Sequence, residues 1–242
     1  AHAAHLGWQG VVVHFRGCSG TPNLKPRAYH SGDSAEIDWI LRRVKREQPS
    51  RPLRVTGVSL GGNALLKWLG EQGDAARFVQ AAAAICPPQD LQAGAEALSR
   101  GFNRLYSEYF LRSLRPKSLA MLERWPGLLD GGRVRRARDF FDFDDAVTAP
   151  LHGFSSCYDY WTRSSCRQFL GGIRVPTLVI NAHNDPFVPP HALAARSEVS
   201  RWVALDYPQT GGHVGFPSPG SAGRFNWIPS RVEHFFRTID AS

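Results

Sequence analysis

The pentapeptide Gly57-Val58-Ser59-Leu60-Gly61 constrains the fold of this chain more than any other stretch. Residues 53–56 ahead of it predict a short strand, and residues 63–69 after it predict a helix. A serine between two glycines at such a junction predicts a sharp strand-to-helix turn that holds the hydroxyl clear of the sheet. Glycine suits the turn because it lacks Cβ and tolerates strained backbone angles. Small residues cluster in many turns, so the pentapeptide acquires chemical meaning only with its flanks and with partners further along the chain.

The surrounding pattern predicts a parallel sheet. Residues 10–15, Gly-Val-Val-Val-His-Phe, form a nearly continuous apolar run, as expected of a strand buried on both faces. Turn residues crowd 16–23. Asp33 and Glu36 then fit a capping-box pattern, and Ile37, Ile40, Leu41 and Val44 place one apolar stripe along the helix that follows. After the serine turn and its helix, residues 78–85 predict another buried strand, ended by Pro87-Pro88. Strand, helix, strand, helix, strand implies parallel strands with helices on both faces.

From about 89 to 172 the pattern becomes helical, with Phe102, Leu105, Tyr106, Tyr109 and Phe110 on one helical face. The acidic residues Asp139, Asp142, Asp144 and Asp145 invite a metal reading, but interleaved Phe140, Phe141 and Phe143 favour an amphipathic or loop segment. Strands are expected again at 175–180 and 202–207, a short helix at 191–199 and a closing helix at 231–239. With no repeat or low-complexity linker, the 242 residues read as one domain, 1–242, with a helical insertion at about 89–172.

Apolar residues make up 43% of the chain, enough for a sizeable core. The formal net charge of +8 admits attraction to anionic lipid or nucleic acid. The basic residues are scattered, without an aromatic-interleaved recognition motif, so no nucleic-acid partner is expected and any membrane contact is peripheral. Cys18, Cys86, Cys157 and Cys166 are too far apart for a zinc-like cluster and read as free thiols in a reducing compartment, the cytoplasm. No stretch reaches the length of a transmembrane span.

A serine hydroxyl becomes a useful nucleophile when a base takes its proton and a carboxylate fixes that base's tautomer. On a parallel sheet the partners belong in loops that follow strands. Asp185 opens the loop after the strand that ends at Ile180. His213 follows Gly211-Gly212, which leave room for it to approach the serine, in the loop after the last strand. Ser59, Asp185 and His213 in this order, each at a strand end, predict a catalytic triad. Asp206, within or at the edge of a strand, is a weaker acid, and His14, His183 and His191 are weaker bases. His2 and His5, near a free terminus, carry no role.

These segments resemble the abhydrolase-type serine hydrolases, specifically the YheT-like branch related to eukaryotic abhydrolase-domain lipases. The resemblance rests on His14-Phe15-Arg16-Gly17-Cys18-Ser19-Gly20, Tyr29-His30-Ser31-Gly32, the serine turn through Asn63, Phe143-Asp144-Asp145, Asn184-Asp185-Pro186-Phe187 and Gly211-Gly212-His213-Val214-Gly215-Phe216. It implies an α/β-hydrolase fold with a helical cap, a triad on Ser59, Asp185 and His213, and an oxyanion donor at the Leu60 amide. Relatives carry further residues ahead of the counterpart of Ala1, with the first strands and a loop giving a second oxyanion amide. The resemblance implies that these N-terminal strands are missing here, which leaves residues 10–15 or a neighbouring strand with an open edge.

The implied activity is hydrolysis of carboxylic esters, of short or medium acyl chains or of acylglycerols, on a small-molecule or lipid ester. It needs no cofactor and no metal. An acyltransferase or thioesterase would use the same triad. A non-catalytic binding module on the same fold is the alternative of a different class.

Overall fold

Five consecutive apolar residues in Ala81–Ile85 belong to a strand covered on both sides. In the computed structural model, which describes residues 2–21, 23–217 and 227–240, the four strands are β1 (Arg54–Val58), β2 (Ala81–Ile85), β3 (Thr177–Ile180) and β4 (Val203–Asp206). They form one parallel sheet in the order β1-β2-β3-β4, with Val55 opposite Ala82, Ala83 opposite Leu178 and Val179 opposite Leu205. Side chains alternate between the faces. Ala82, Ala84 and Val179 join Leu65, Trp68 and Leu69 in one core. Ala81, Ala83, Leu178 and Ile180 join Val232 and Phe236 in the other.

Among the described residues ten α-helices accompany the strands: α1 (His2–His5), α2 (Ser34–Glu47), α3 (Leu60–Gln72), α4 (Leu91–Leu98), α5 (Arg104–Arg124), α6 (Gly131–Arg136), α7 (Phe140–Phe143), α8 (Ala149–His152), α9 (Cys157–Ser164) and α10 (Trp227–Asp240). Helices α2 and α3 cover one face of the sheet, and α10 covers the other. The stripe expected on α2 is present: Leu41 is buried and Ile37, Ile40 and Val44 are half-buried. Helices α4 to α9 lie between β2 and β3 in sequence and contain two small cores of their own, one around Leu111, Val134 and Phe143, the other around Leu91, Tyr160 and Trp161.

Several expectations are corrected. Residues 10–15 are not a buried strand: they lie outside the sheet, and Val12 is 82% exposed. β-Branched residues favour an extended chain, but a strand exists only through pairing with a neighbour. No strand lies beyond β1 among the described residues, so β1 keeps an open edge. The turn-rich stretch that follows runs to Asn23, with Pro22 outside the described residues. Residues 191–199 make two separate 3₁₀ turns, Pro190–Ala192 and Arg196–Glu198, because Leu193 and Ala195 between them are extended.

Asp33 does sit at the N-cap of α2, yet no capping box forms there. Its carboxylate takes the Arg27 guanidinium at 2.6 and 2.8 Å, and Glu36 takes Arg16. Charge-assisted bonds to arginine outcompete a single bond to a backbone amide. The acidic residues considered for a metal are committed to protein donors instead. Asp139 caps α7, and Asp142 accepts the Arg138 amide. Buried Asp144 holds Thr148 and the Trp161 indole, and Asp145 holds Arg133 and the Cys157 amide.

The strand-to-helix turn depends on one glycine. A Cβ on Gly57 would lie 2.4 Å from the Gly61 carbonyl oxygen and 2.9 Å from Gly62 Cα. A Cβ on Gly61 would meet only the Phe15 ring, at 3.6 Å. Gly57→Ala is therefore expected to lower stability by about 3 kcal/mol, since neither backbone can yield. Gly61→Ala is expected to stay within about 1 kcal/mol of the parent, because helix propensity gains what packing loses. Urea unfolding of the two variants checks the contrast.

Helix α8 meets the loop before α2 through two imidazoles. The His30 and His152 rings are 4.5 Å apart, flanked by Phe154 and Tyr160, and the Tyr160 hydroxyl accepts the Ser31 amide. Burial first, then the charge His152 would carry, push His30 down to about 4; Arg27 and Lys67 push the same way and Asp33 opposes them. Burial lowers His152 as well. The unfolded chain protonates His30 near 6.5, so between about 6.5 and about 4 it binds the proton that the folded chain refuses, and stability is lost as pH falls through that window. Asp144, raised to about 6 by burial, titrates in the opposite sense. The informative quantity is thus the difference between the parent and His30→Gln. The variant's urea midpoint is expected to fall less on acidification, by up to about 3 kcal/mol of stability at pH 4.

Candidate functional site

Three loops at the C-terminal ends of parallel strands converge on one point. Ser59 directly follows β1 and is the N-cap of α3, with φ 51° and ψ −122°. A positive φ is costly for a residue with a side chain. It is stabilised here by the Ser59 amide, which donates to Ile85 O at 2.7 Å, and by the Gly62 and Asn63 amides, which donate to Ser59 O. The Leu60 amide is the first of α3, so the helix supplies it no carbonyl partner.

Asp185 follows β3 and His213 follows β4. His213 Nδ1 lies 2.8 Å from Asp185 Oδ2, and His213 Nε2 lies 3.0 Å from Ser59 Oγ. An ionised carboxylate can only accept, so Nδ1 carries the hydrogen, and the neutral ring leaves the Nε2 lone pair facing the serine hydroxyl. The side chain of Asp185 has no exposed surface and that of His213 keeps 16% of its surface exposed. A dry acid and a largely buried imidazole give the attraction between them a low local dielectric.

Asp206, the weaker acid, sits at the end of β4 and binds Arg231 at 2.6 Å rather than His213. His183 packs its ring against Tyr207, and His191 lies in the 3₁₀ turn where its carbonyl accepts Arg167. His14 is exposed in the unpaired segment, His5 is exposed in α1, and the side chain of His2 lies outside the described residues.

The sequence reading missed the residues that hold the loops. Fully buried Asn63 donates to Ser31 O and Ser164 O, both at 2.8 Å, and accepts the Cys166 amide. Fully buried Gln89 donates to Asn181 Oδ1 and Tyr207 Oη and accepts the Ala194 amide. Asn184 Oδ1 accepts the Gly211 and Gly212 amides, both at 2.9 Å, and so ties the acid's loop to the histidine's. The Phe187 amide donates to Asp185 Oδ1 at 2.8 Å while its ring packs 4.6 Å from His213. The available signal was an amide residue near two of the candidates: Asn63 four residues after Ser59 and Asn184 directly before Asp185.

Cys86 follows β2 with φ 49°, and its sulfur accepts the Val214 amide at 3.4 Å. Burial, opposed by that bond and aided by Asp185, pushes its thiol up to about 12. The thiol is thus protonated and is no rival nucleophile. Cys86, Asp185 and His213 bring possible ligand atoms within 4.8 Å of one another, but the last two are already bonded together. A groove of about 470 Å³ lined by Gln89, Asp90, Trp161 and Arg167 is not lined by Ser59, Asp185 or His213, and its Arg167 is paired with Glu198. Among the described residues, all four cysteines are free and no helix is long and apolar enough to cross a membrane.

Comparison with known proteins agrees with this architecture. The alpha/beta hydrolase fold family matches residues 1–210. YheT of Escherichia coli, named as an esterase, is 36% identical over 98% of this chain and 70% of its own length. Phospholipase ABHD3 of Mus musculus is 31% identical over 87% of this chain and 52% of its own length, so this chain spans about half of that relative. The structure of an alpha/beta fold family hydrolase from Bacillus anthracis superposes with a TM-score of 0.52 at 13% identity, over 94% of this chain and 80% of that one; at such identity the likeness concerns the fold alone. The chain belongs to the alpha/beta hydrolase fold family, in its YheT-like branch.

Proposed function

We propose that this chain hydrolyses carboxylic esters, of short or medium acyl chains or of acylglycerols, with Ser59 as nucleophile, His213 as base and Asp185 as its orienting acid. The observation that carries the reading is the unbroken Asp185–His213–Ser59 hydrogen-bonded chain, at 2.8 and 3.0 Å, with the serine held on a strained turn. The esterase name of YheT and the phospholipase name of ABHD3 agree with it. Ser59 Oγ attacks the ester carbonyl as His213 Nε2 takes its proton. The Leu60 amide faces the developing oxyanion, a contact of the kind whose loss costs about 10²–10³ in rate. His213 returns the proton to the leaving alkoxide, and water repeats the cycle on the acyl-enzyme.

Helices α4 to α9 act in this reading as a cap over the site, within a single domain. Tyr106 and Phe110 of α5 support it, because their rings pack 4.8 and 6.2 Å from Phe187, beside His213. The free thiols favour a reducing, cytoplasmic setting.

A fluorophosphonate probe is expected to label the parent at Ser59, identified by mass spectrometry, and to leave Ser59→Ala unlabelled. Asp185→Asn is expected to keep the fold and lose about 10⁴-fold in kcat on p-nitrophenyl butyrate, because the imidazole then takes the wrong tautomer. Asp206→Asn is expected to leave that kcat within a few-fold of the parent. Labelling at another residue, or turnover surviving in Ser59→Ala, would overturn the assignment.

A further inference from the structure

The aromatic face of α5 continues from the site out to solvent. Tyr106 packs on Phe187, and Phe102 packs on Tyr106 at 6.4 Å; Tyr109 packs on Phe110 at 5.9 Å. At the outer end Phe102 is 75% exposed, Tyr109 72% and Leu105 62%. Asn103 pins this end to the rim of the site: its Nδ2 donates to the Pro186 carbonyl at 2.7 Å, one residue from Asp185. Large apolar side chains exposed side by side and anchored beside the site mark an interaction surface.

Its charge indicates what it meets. Arg100, Arg104 and Arg112, all exposed, lie along the patch. Arg100 and Arg112 touch Glu96 and Glu108 only at 3.4 Å. Lys117 and Arg124 extend the positive charge along α5 against Glu123, whereas Arg115 is paired with Glu108 at 2.7 Å, in a chain of net charge +8. A second copy would bring like charge against like. Phenyl and phenol rings beside arginines suit a bilayer's interfacial layer, where apolar rings sink among acyl chains and guanidinium groups meet phosphates.

We propose that the face formed by Phe102, Leu105 and Tyr109, with Arg100, Arg104 and Arg112, docks the protein onto an anionic phospholipid surface and presents the site rim to it. The inference deepens the ester-hydrolase reading by naming where its substrate is met, but its test reads binding without turnover. The 242-residue chain is floated with vesicles of phosphatidylcholine and of phosphatidylcholine mixed with phosphatidylglycerol. Retention is expected on the mixed vesicles and little on the zwitterionic ones. Removing the three arginines together, as Gln, is expected to weaken partitioning by about fivefold for each charge and about a hundredfold in all. Phe102→Ser with Tyr109→Ser is expected to weaken it at least tenfold while circular dichroism remains that of the parent; should the pair of serines unfold the chain, the arginine variant, altered only on its surface, decides.

Equal flotation of the parent and the arginine variant, or no flotation of the parent on anionic vesicles, would overturn the proposal. So would a dimer in sedimentation equilibrium that Tyr109→Ser dissolves, which would make the face a contact between copies. Hydrolysis of water-soluble p-nitrophenyl acetate by the parent is measured separately. Flotation without hydrolysis defeats the ester-hydrolase reading and leaves the docking face standing; hydrolysis without flotation does the reverse.

Discussion

The close approach of β1 to the first turn of α3 is the constraint on which the rest depends. The backbone at Gly57 runs so near Gly61 and Gly62 that no side chain fits between them. That proximity forces the chain to reverse at Ser59, and the reversal gives the serine its positive φ. Backbone strain of this kind costs about 1–3 kcal/mol and survives only where surrounding contacts over-determine it. Here they do: the amides of Ser59, Gly62 and Asn63 are all bonded, and Ala64 to Leu69 are buried. Among the described residues the other non-glycine residues of positive φ are Cys86, Val214 and Phe216. Cys86 follows β2, and Val214 and Phe216 flank the loop of His213, so the strain gathers where the three functional loops meet.

A second requirement follows from the parallel sheet. Loops leaving adjacent parallel strands have no ladder to hold them in register, and their backbone groups are partly buried. Buried amide side chains take the place of the ladder. Gln89 bridges the exits of β2, β3 and β4 through Asn181, Tyr207 and Ala194. Asn63 ties the serine helix to the loop before α2 and to the end of α9. Each offers both donors and an acceptor, which no hydrophobic residue of similar size could do. Replacing one by an apolar group would strand several buried partners at once.

What was legible in the sequence was whatever a local pattern enforces. Gly57 and Ser59 declare the turn, Ile37 to Val44 declare the stripe of α2, and the order of Ser59, Asp185 and His213 declares the convergence of the loops. What was not legible depends on partners distant in sequence. Residues 10–15 have strand composition but no neighbour to pair with among the described residues. Asp33 and Glu36 have the spacing of a capping box, yet Arg27 and Arg16 claim them. Residues 191–199 read as a short helix, but Leu193 and Ala195 are extended. Asn63 and Gln89 look like ordinary polar residues until their partners, some a hundred positions away, are in place.

The site is asymmetric, and the asymmetry follows from Phe187. Its amide holds Asp185, its ring covers one side of His213, and the same ring receives Tyr106 and Phe110 from α5. The Asp185 side chain has no exposed surface, and that of His213 keeps 16%. Asp185 occupies Nδ1, which leaves Nε2 as the ring nitrogen that faces Ser59 Oγ. One aromatic residue thus joins two things: the bond its amide makes to Asp185 and the point at which the helical insertion packs beside His213. A displacement of α5 cannot leave Phe187 untouched, so the position of the helices and the alignment of Asp185 with His213 are mechanically one property of the fold.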